Sequence, residues 1–214
     1  MPPDQGFRIA FDTSAAHCAA ALLWGTRVCH STVEPMAKGQ VDRLIPLLES
    51  LLGAERLSWS DLEAIIVGVG PGNFTGIRIG VSAARALSLA SGVEAVGVST
   101  LAALAYDQQG DVITLAPAPM GQVYHQRFAD GRPASAPALS AADALPAGRY
   151  CADPDQLDQG TVPITPVPFA PERFALAAMT LPKSALSVPP ASLYIKPPGA
   201  KPASDTAPKI LDDA

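Results

Sequence analysis

Cysteine is scarce in this sequence, and its three copies, Cys18, Cys29 and Cys151, form no CxxC pair. Histidine is as sparse, with His17, His30 and His125 scattered. Neither a zinc framework nor a disulfide framework can be read, and reduced, mostly buried thiols are expected. Basic residues are few as well. Fifteen Lys and Arg stand against 20 Asp and Glu, a net charge of -5, which lacks the broad positive footprint that a phosphate backbone calls for. A direct grip on RNA by this chain alone is disfavoured. No uninterrupted apolar run approaches the roughly 18 residues of a membrane span, and MPPDQGFRIAFDTS holds no basic region followed by an apolar one. The expectation is a cytoplasmic protein with no membrane contact. Proline, finally, is rare in one half only: five of the 22 precede residue 111.

What is present is 48% hydrophobic over 214 residues, enough for one large domain or two small ones sharing a core. GFRIAFDTS reads as a short buried strand running into a turn. AHCAAALLWGTRVCHSTVE reads as a hairpin around Trp24-Gly25-Thr26. Lys38 to Leu52 has helical spacing, with Val41, Leu44, Ile45, Leu48 and Leu52 on one face and Pro46 inside, where a bend is expected. A strand from Glu63 to Val69, a glycine-rich loop and a helix from Gly76 to about Ser91 follow, then a further strand and a helix opening at Ser99 or Thr100. Strands and helices alternate in an α/β pattern with an antiparallel hairpin at the front. We divide the chain into residues 1–106, a smaller second half at 107–190 containing DVITLA and GQVYHQRF as short strands, and a tail at 191–214 expected to be extended or disordered. The tail lysines Lys196, Lys201 and Lys209 are nearly cancelled by Asp205, Asp212 and Asp213.

The most informative segment runs from Val67 to Gly80, VGVGPGNFTGIRIG. Gly70, Gly72 and Gly76 permit positive φ and close approach, Thr75 can cap the helix, and the exposed amides at its start favour an anion. The loop is neither a Walker A sequence, since no GK[ST] follows, nor the dinucleotide fingerprint. Two readings stay open: a phosphate cradle formed by Gly70, Gly72, Thr75 and Gly76, or a structural turn before a helix. Asp12 likewise reads as a phosphate-assisting carboxylate or as a turn-former. Asp12, Ser14 and His17 contain the parts of a hydrolase triad, yet no G-x-S-x-G elbow accompanies them. Trp24 and Trp59 sit in no basic aromatic cluster and read as packing residues.

GPGNFTGIRIG is similar to the GPGSFTGIRIG signature of the TsaB (YeaZ) family, with Asn73 where that family usually has serine. FDTSAAHCAAAL, the Leu-Ile-Pro step of QVDRLIPLLESLL, GVSTLAALA and LYIKPPGAKP support the resemblance, which is strong through residues 7–106 and weak across 130–190. It implies an actin-like (ASKHA, ribonuclease H-like) duplicated fold with a reduced, irregular second half. It also implies a non-catalytic partner of TsaD, the subunit that transfers threonylcarbamoyl to an adenosine beside the anticodon of tRNA, in a pathway where a TsaE-like protein supplies ATPase activity. No intrinsic cofactor is then expected, ATP being used by the partners, and tRNA is met only within the complex. A homodimer is also compatible with it. The catalytic relative carries a His-x-x-x-His metal pair on its first helix; KGQVDRLIPLL has no histidine, so no metal site is expected there. Where many relatives read DARMGEVY, this chain reads PAPMGQVY, with Pro117, Pro119 and Gln122, and no ligand role is carried onto that segment. The partner surface is expected on two helices, at Leu47 and Leu51 of the first and at Ile77, Arg78, Gly80, Val81, Ala84 and Arg85 of the second. A small-molecule kinase or ATP-binding protein of the actin-like superfamily is the alternative.

Overall fold

A computed structural model describes residues 6–157, 162–181 and 188–195. β1 (Phe7–Asp12), β2 (His17–Trp24) and β3 (Arg27–Pro35) form an antiparallel meander. Gly25, at φ 58°, supplies the left-handed residue of the turn joining β2 to β3. α1 (Gln40–Ala54) leads to β4 (Leu62–Gly68), which pairs parallel with β1. α2 (Phe74–Ser91) then leads to β5 (Glu94–Val98), parallel to β4. The sheet order is β3-β2-β1-β4-β5.

After α3 (Thr100–Ala105), whose first turn is capped by Ser99, the pattern repeats. β6 (Asp111–Pro117) pairs antiparallel with β7 (Gln122–Ala129), and β7 with β8 (Arg132–Pro133) and β9 (Ala138–Ala141). β10 (Tyr150–Ala152) lies parallel to β6 and β11 (Ile164–Pro166) parallel to β10, before α4 (Glu172–Ala178) closes the half. The order β11-β10-β6-β7-β8 reproduces the first sheet about its central strand, with an antiparallel neighbour on one side and two parallel strands on the other. This is the duplicated actin-like α/β architecture the sequence led us to expect. Its second half is the reduced one: between β9 and β10 only a three-residue turn, Ala142–Ala144, stands where the first half has α1.

α1 and α2 cover one face of the first sheet, where Leu44, Leu48, Ile77 and Val81 meet Ile9, Phe11 and Leu22. α3 and α4 cover the other, with Phe174, Ala175 and Ala178 against Ala10, Ala21 and Ile66. α4 belongs to the second half in sequence yet packs on the first sheet, so the halves share a core. The second sheet turns Val112, Ala116 and Phe128 toward α3.

α1 corrects the expected phase of its own stripe. Leu47 and Leu51, assigned to a partner, are 3% and 8% exposed and belong to the core, while Val41, assigned to the core, is 63% exposed. Seven apolar residues at positions 41, 44, 45, 47, 48, 51 and 52 span more than one helical face, so spacing alone does not fix which face turns inward. A glutamate at Leu47 would therefore test folding rather than binding. Trp24 packs against the Phe7 ring and Trp59 against the first core, as packing residues.

Residues 191–195, placed in the extended or disordered tail, have no regular secondary structure but are docked: the Leu193 amide donates to the Val69 carbonyl at 2.9 Å. Leu193 packs on the first core and Ile195 on the α3 cluster. The tail lysines Lys196, Lys201 and Lys209 lie outside the described residues.

Candidate functional site

β1 and β4 run parallel, so the turn after β1 and the loop after β4 emerge at the same edge of the sheet, where ligands gather in α/β folds. They are packed backbone to backbone. The Asn73 amide donates to the Ser14 carbonyl at 2.6 Å, and the Thr13 hydroxyl donates to the Gly76 carbonyl at 2.7 Å. A Cβ at Gly72 would collide with the Ser14 carbonyl oxygen, and one at Gly76 with that of Thr13. Gly70 sits at φ 90°, ahead of a cis bond to Pro71. Each glycine thus has a packing or conformational reason that needs no ligand. The cap of α2 also differs from expectation: Asn73, not Thr75, is the N-cap, its Oδ1 accepting from the Gly76 amide at 3.0 Å. Serine and asparagine cap equally well, so the asparagine that departs from the family signature keeps this function. Thr75 lies inside the helix and is exposed.

Asp12 is fully buried. Its Oδ2 accepts from the Ser14 amide at 3.0 Å, the Ser14 hydroxyl at 2.9 Å and His17 Nε2 at 2.7 Å. Its Oδ1 faces the Cα of Gly68 without a hydrogen-bond partner. The three residues considered for a triad do meet, but their wiring is not that of a hydrolase. Serine and histidine converge on one carboxylate oxygen, whereas nucleophilic catalysis needs the imidazole between them, taking the serine proton. Asp12 ties the turn together, the role a buried Asx carboxylate commonly plays. Asp12 and His17 lie five positions apart across the β1–β2 turn, a spacing that carries no helical or strand period. The His17 ring rests on Phe169 of the second half, centroids 4.3 Å apart.

A cleft of about 740 Å³ opens beside this turn, between the halves, bordered by His17, Lys38, Asn73, Tyr124 and Phe169 among others. Pro117 and Pro119 of the divergent PAPMGQVY segment also border it, while Met120 beside them is 84% exposed at φ 60°. Among the described residues no group of three His, Cys, Asp or Glu is placed to hold a metal ion. No described helix is long and apolar enough to cross a membrane.

Next to His17, burial pushes the Cys18 thiol up to about 11, with the negative charge of Glu34 acting in the same direction. Glu34 itself is held below the usual carboxylate range by its paired hydrogen bonds from Arg43, at 2.6 Å each. Neither group is a reactive centre at neutral pH.

On α2 the structure separates the residues expected at a partner. Ile77, Gly80, Val81 and Ala84 are buried against their own sheet, so the small-residue stripe belongs to the core. Gly80 is small because Val67 and the Thr13 hydroxyl lie against it. Arg78 and Arg85 are exposed, and they share their outward face with Phe74, Ser82 and Leu89. That stripe was legible as i, i+4 and i+3 spacing, but the apolar content of the opposite face outweighed it.

Residues 34–148, more than half of the chain, match the family model described as TsaD: tRNA N6-adenosine threonylcarbamoyltransferase. An uncharacterised protein of Mycobacterium tuberculosis is 34% identical over 170 residues, 78% of this chain and 79% of that one. One of Mycobacterium leprae is 29% identical over 211 residues, 95% of this chain and 58% of its own length. The Escherichia coli tRNA threonylcarbamoyladenosine biosynthesis protein TsaB is 34% identical over 125 residues, 56% of this chain and 54% of that one. The chain thus spans little more than half of the last two. Among solved structures, a Pseudomonas aeruginosa protein described as similar to peptidase YEAZ superposes with a TM-score of 0.71 at 26% identity, covering 89% of this chain and 100% of that one.

Proposed function

The chain belongs to the TsaB family, and from that premise we propose that it is a non-catalytic partner subunit of the threonylcarbamoyltransferase that forms N6-threonylcarbamoyladenosine in tRNA. The observation that carries this reading is the likeness to the Escherichia coli biosynthesis protein TsaB, 34% identical over 125 residues. The site supports it: Ser14 and His17 are committed to the same Asp12 oxygen, and the glycine loop is closed on the Thr13–Ser14 turn. The transfer reaction then falls to a TsaD-like subunit, which the partner meets through the outward stripe of α2 rather than the buried one. A TsaE-like ATPase, the use of ATP by the partners, contact with tRNA only in the assembly, a homodimeric form and a cytoplasmic location complete the proposal.

Reconstitution tests it. The purified transferase, activating enzyme and ATPase of the same organism, with unmodified tRNA, should yield the modified nucleoside only when this chain is added. Full yield without it would sink the reading. The ATP-binding alternative draws on the cleft beside the α2 N-terminus. It requires the clasped turns to part, so nucleotide affinity of the isolated chain should be weaker than micromolar. A sub-micromolar dissociation constant, about -8 kcal/mol or tighter, would favour the alternative.

A further inference from the structure

Resting on the homodimeric form proposed above, we propose that two copies of this chain pair antiparallel along β3, with Thr32 on the two-fold axis, so that two five-stranded sheets become one continuous sheet.

β3 is the long open edge among the described residues. It runs nine residues, against five for β5 at the opposite edge of its sheet and two, four and three for β8, β9 and β11 in the second sheet. β5 is bordered besides by Pro190, packed against Gly97. An edge strand presents a row of unpaired N–H and C=O groups, which proteins blunt by shortness, lysine, proline or a bulge. β3 has a bulge opposite Leu22 and Leu23 near its start and Pro35 at its end. Between them His30–Glu34, HSTVE, has none of these devices, and among the described residues its backbone is hydrogen-bonded to β2 alone. Val33 in this stretch is 42% exposed.

The stretch is also held still. His30 Nε2 lies 2.9 Å from Glu55 at the end of α1, Glu34 accepts two hydrogen bonds from Arg43 of α1 at 2.6 Å each, and the Ser31 hydroxyl donates to Glu172 of α4 at 2.6 Å. These contacts draw the polar side chains toward the helices that cover the two faces of the sheet. An edge fixed in this way needs little ordering when a second strand joins it.

The residues of the stretch select its occupant. Side chains alternate between the faces of a sheet, so two identical antiparallel strands keep their faces only when the two-fold axis passes through a residue position. Thr32 is the middle of HSTVE. With the axis there, His30 stands opposite Glu34 of the second copy on both sides of it, Ser31 opposite Val33, and Thr32 opposite its own counterpart. A carboxylate beside an imidazole and a pair of threonines are favourable cross-strand neighbours, and no like charges meet. Parallel pairing in register would instead set Glu34 against Glu34.

Sedimentation velocity of the full chain over a concentration series tests the proposal, with circular dichroism confirming the fold of each variant. Val33→Lys, which puts a lysine on the edge, should raise the dimer dissociation constant about 10-fold or more, while Leu89→Asp, on α2, should dimerise as wild type. In a Cys29→Ser background, Thr32→Cys should be oxidised to a covalent dimer, and Ser60→Cys, exposed away from β3, should not. A wild-type dimer that survives Val33→Lys but dissolves in Leu89→Asp would keep the homodimeric form and remove β3 from it. A dimer broken by Val33→Lys without cross-linking at Thr32→Cys would overturn the register. A monomeric wild type brings down the homodimeric form and this inference with it; if Val33→Lys then abolishes binding to the transferase, the edge takes a strand of a different protein.

Discussion

The two sheets share one topology and differ in what covers them. Helices lie on both faces of the first sheet, α1 and α2 on one and α3 and α4 on the other. The second has α3 on one face; on the other, Ile113, Leu115, Val123 and Leu157 meet loop residues such as Ala142, Leu145 and Val162. The matching strands show the consequence. β2, HCAAALLW, is buried at seven successive positions, whereas β7, QVYHQRFA, is buried only at Val123, Gln126 and Phe128. The same place in one topology thus takes a continuous apolar run when helices cover both faces and a mixed polar and apolar one when loops cover a face. Reduction of the second half is written in its strand composition, not only in its missing helices.

The contrast predicts unequal costs for equal substitutions. Ile65 is fully buried beneath the α1–α2 layer, and Leu115 is 1% exposed beneath loops. Ile65→Ala should cost about 4 kcal/mol, because packed helices cannot collapse into the cavity. Leu115→Ala should cost about 2 kcal/mol, because loops relax more readily. Denaturant unfolding of both variants decides the matter, and equal losses would show that the loop-covered face is as rigidly packed as the helical one.

The clasp between the Thr13–Ser14 turn and the glycine loop sharpens the comparison further. Gly76→Ala would drive a methyl into the Thr13 carbonyl, where only backbone can yield, at about 2 kcal/mol. In the second half Gly121, at φ 69°, has open space around its Cα. Gly121→Ala should therefore lose only about 1 kcal/mol from the left-handed conformation. A Gly76→Ala protein as stable as Gly121→Ala would mean the clasp gives way without cost.

Much of the first half was legible from the residues because period and punctuation agree there. The apolar runs of β1 and β2, the Gly25 turn and the Ser99 cap each name their structure locally. Phase on α1 and α2 was not legible. Both helices carry apolar or small residues on more than one side, and burial is settled by where the sheet lies, a long-range fact. Hence Leu47 and Ala84, expected at a partner, are core, and of the exposed Phe74–Leu89 stripe only Arg78 and Arg85 were among the expected partner residues. At the site, the glycines were seen but their reason was not. Gly72 and Gly76 are required by carbonyls of a turn some sixty residues earlier, which no local pattern encodes. The docked segment before Ile195 was hidden by its prolines, which signal absence of regular structure but not absence of packing.

Acid should expose a joint that belongs to both halves. Arg173 of α4 pairs with Asp107 after α3 and donates to the Ala103 and Leu104 carbonyls at 2.9 and 3.3 Å. Its hydrogen bond holds the Asp107 carboxyl below the usual carboxylate range. A folded-state value below the unfolded one means the contribution is complete above about pH 4 and is lost as pH falls through the folded value. Asp107 is half-exposed, so the loss should be under about 1 kcal/mol. Arg173→Gln should flatten the stability profile below pH 4. An unchanged acid slope in that variant would show that Asp107 is not coupled to the helix pair.

The smallest effect is one of rate rather than stability, and it reports on both halves in a single experiment. Cys18 lies in the first core and Cys151 in the α3 cluster of the second half, both fully buried, while Cys29 on the edge strand β3 is half-exposed. Burial is the leading cause that raises both buried thiols, Cys18 to about 11, and a thiolate is what an alkylating reagent attacks. At pH 8 Cys29 should therefore be labelled first, before any unfolding. Labelling of the other two requires an opening that exposes the sulfur to water, and its rate follows the free energy of that opening. Cys151 sits in a three-residue strand of the half whose outer face is covered by loops, whereas Cys18 sits in an eight-residue strand between two layers. Cys151 should accordingly be modified faster than Cys18, with no accompanying change in melting temperature before the label enters. Mass spectrometry of a time course resolves the three sites. Equal rates for Cys18 and Cys151 would mean that the two sheets open as one unit, and that their different covering leaves no trace in their dynamics.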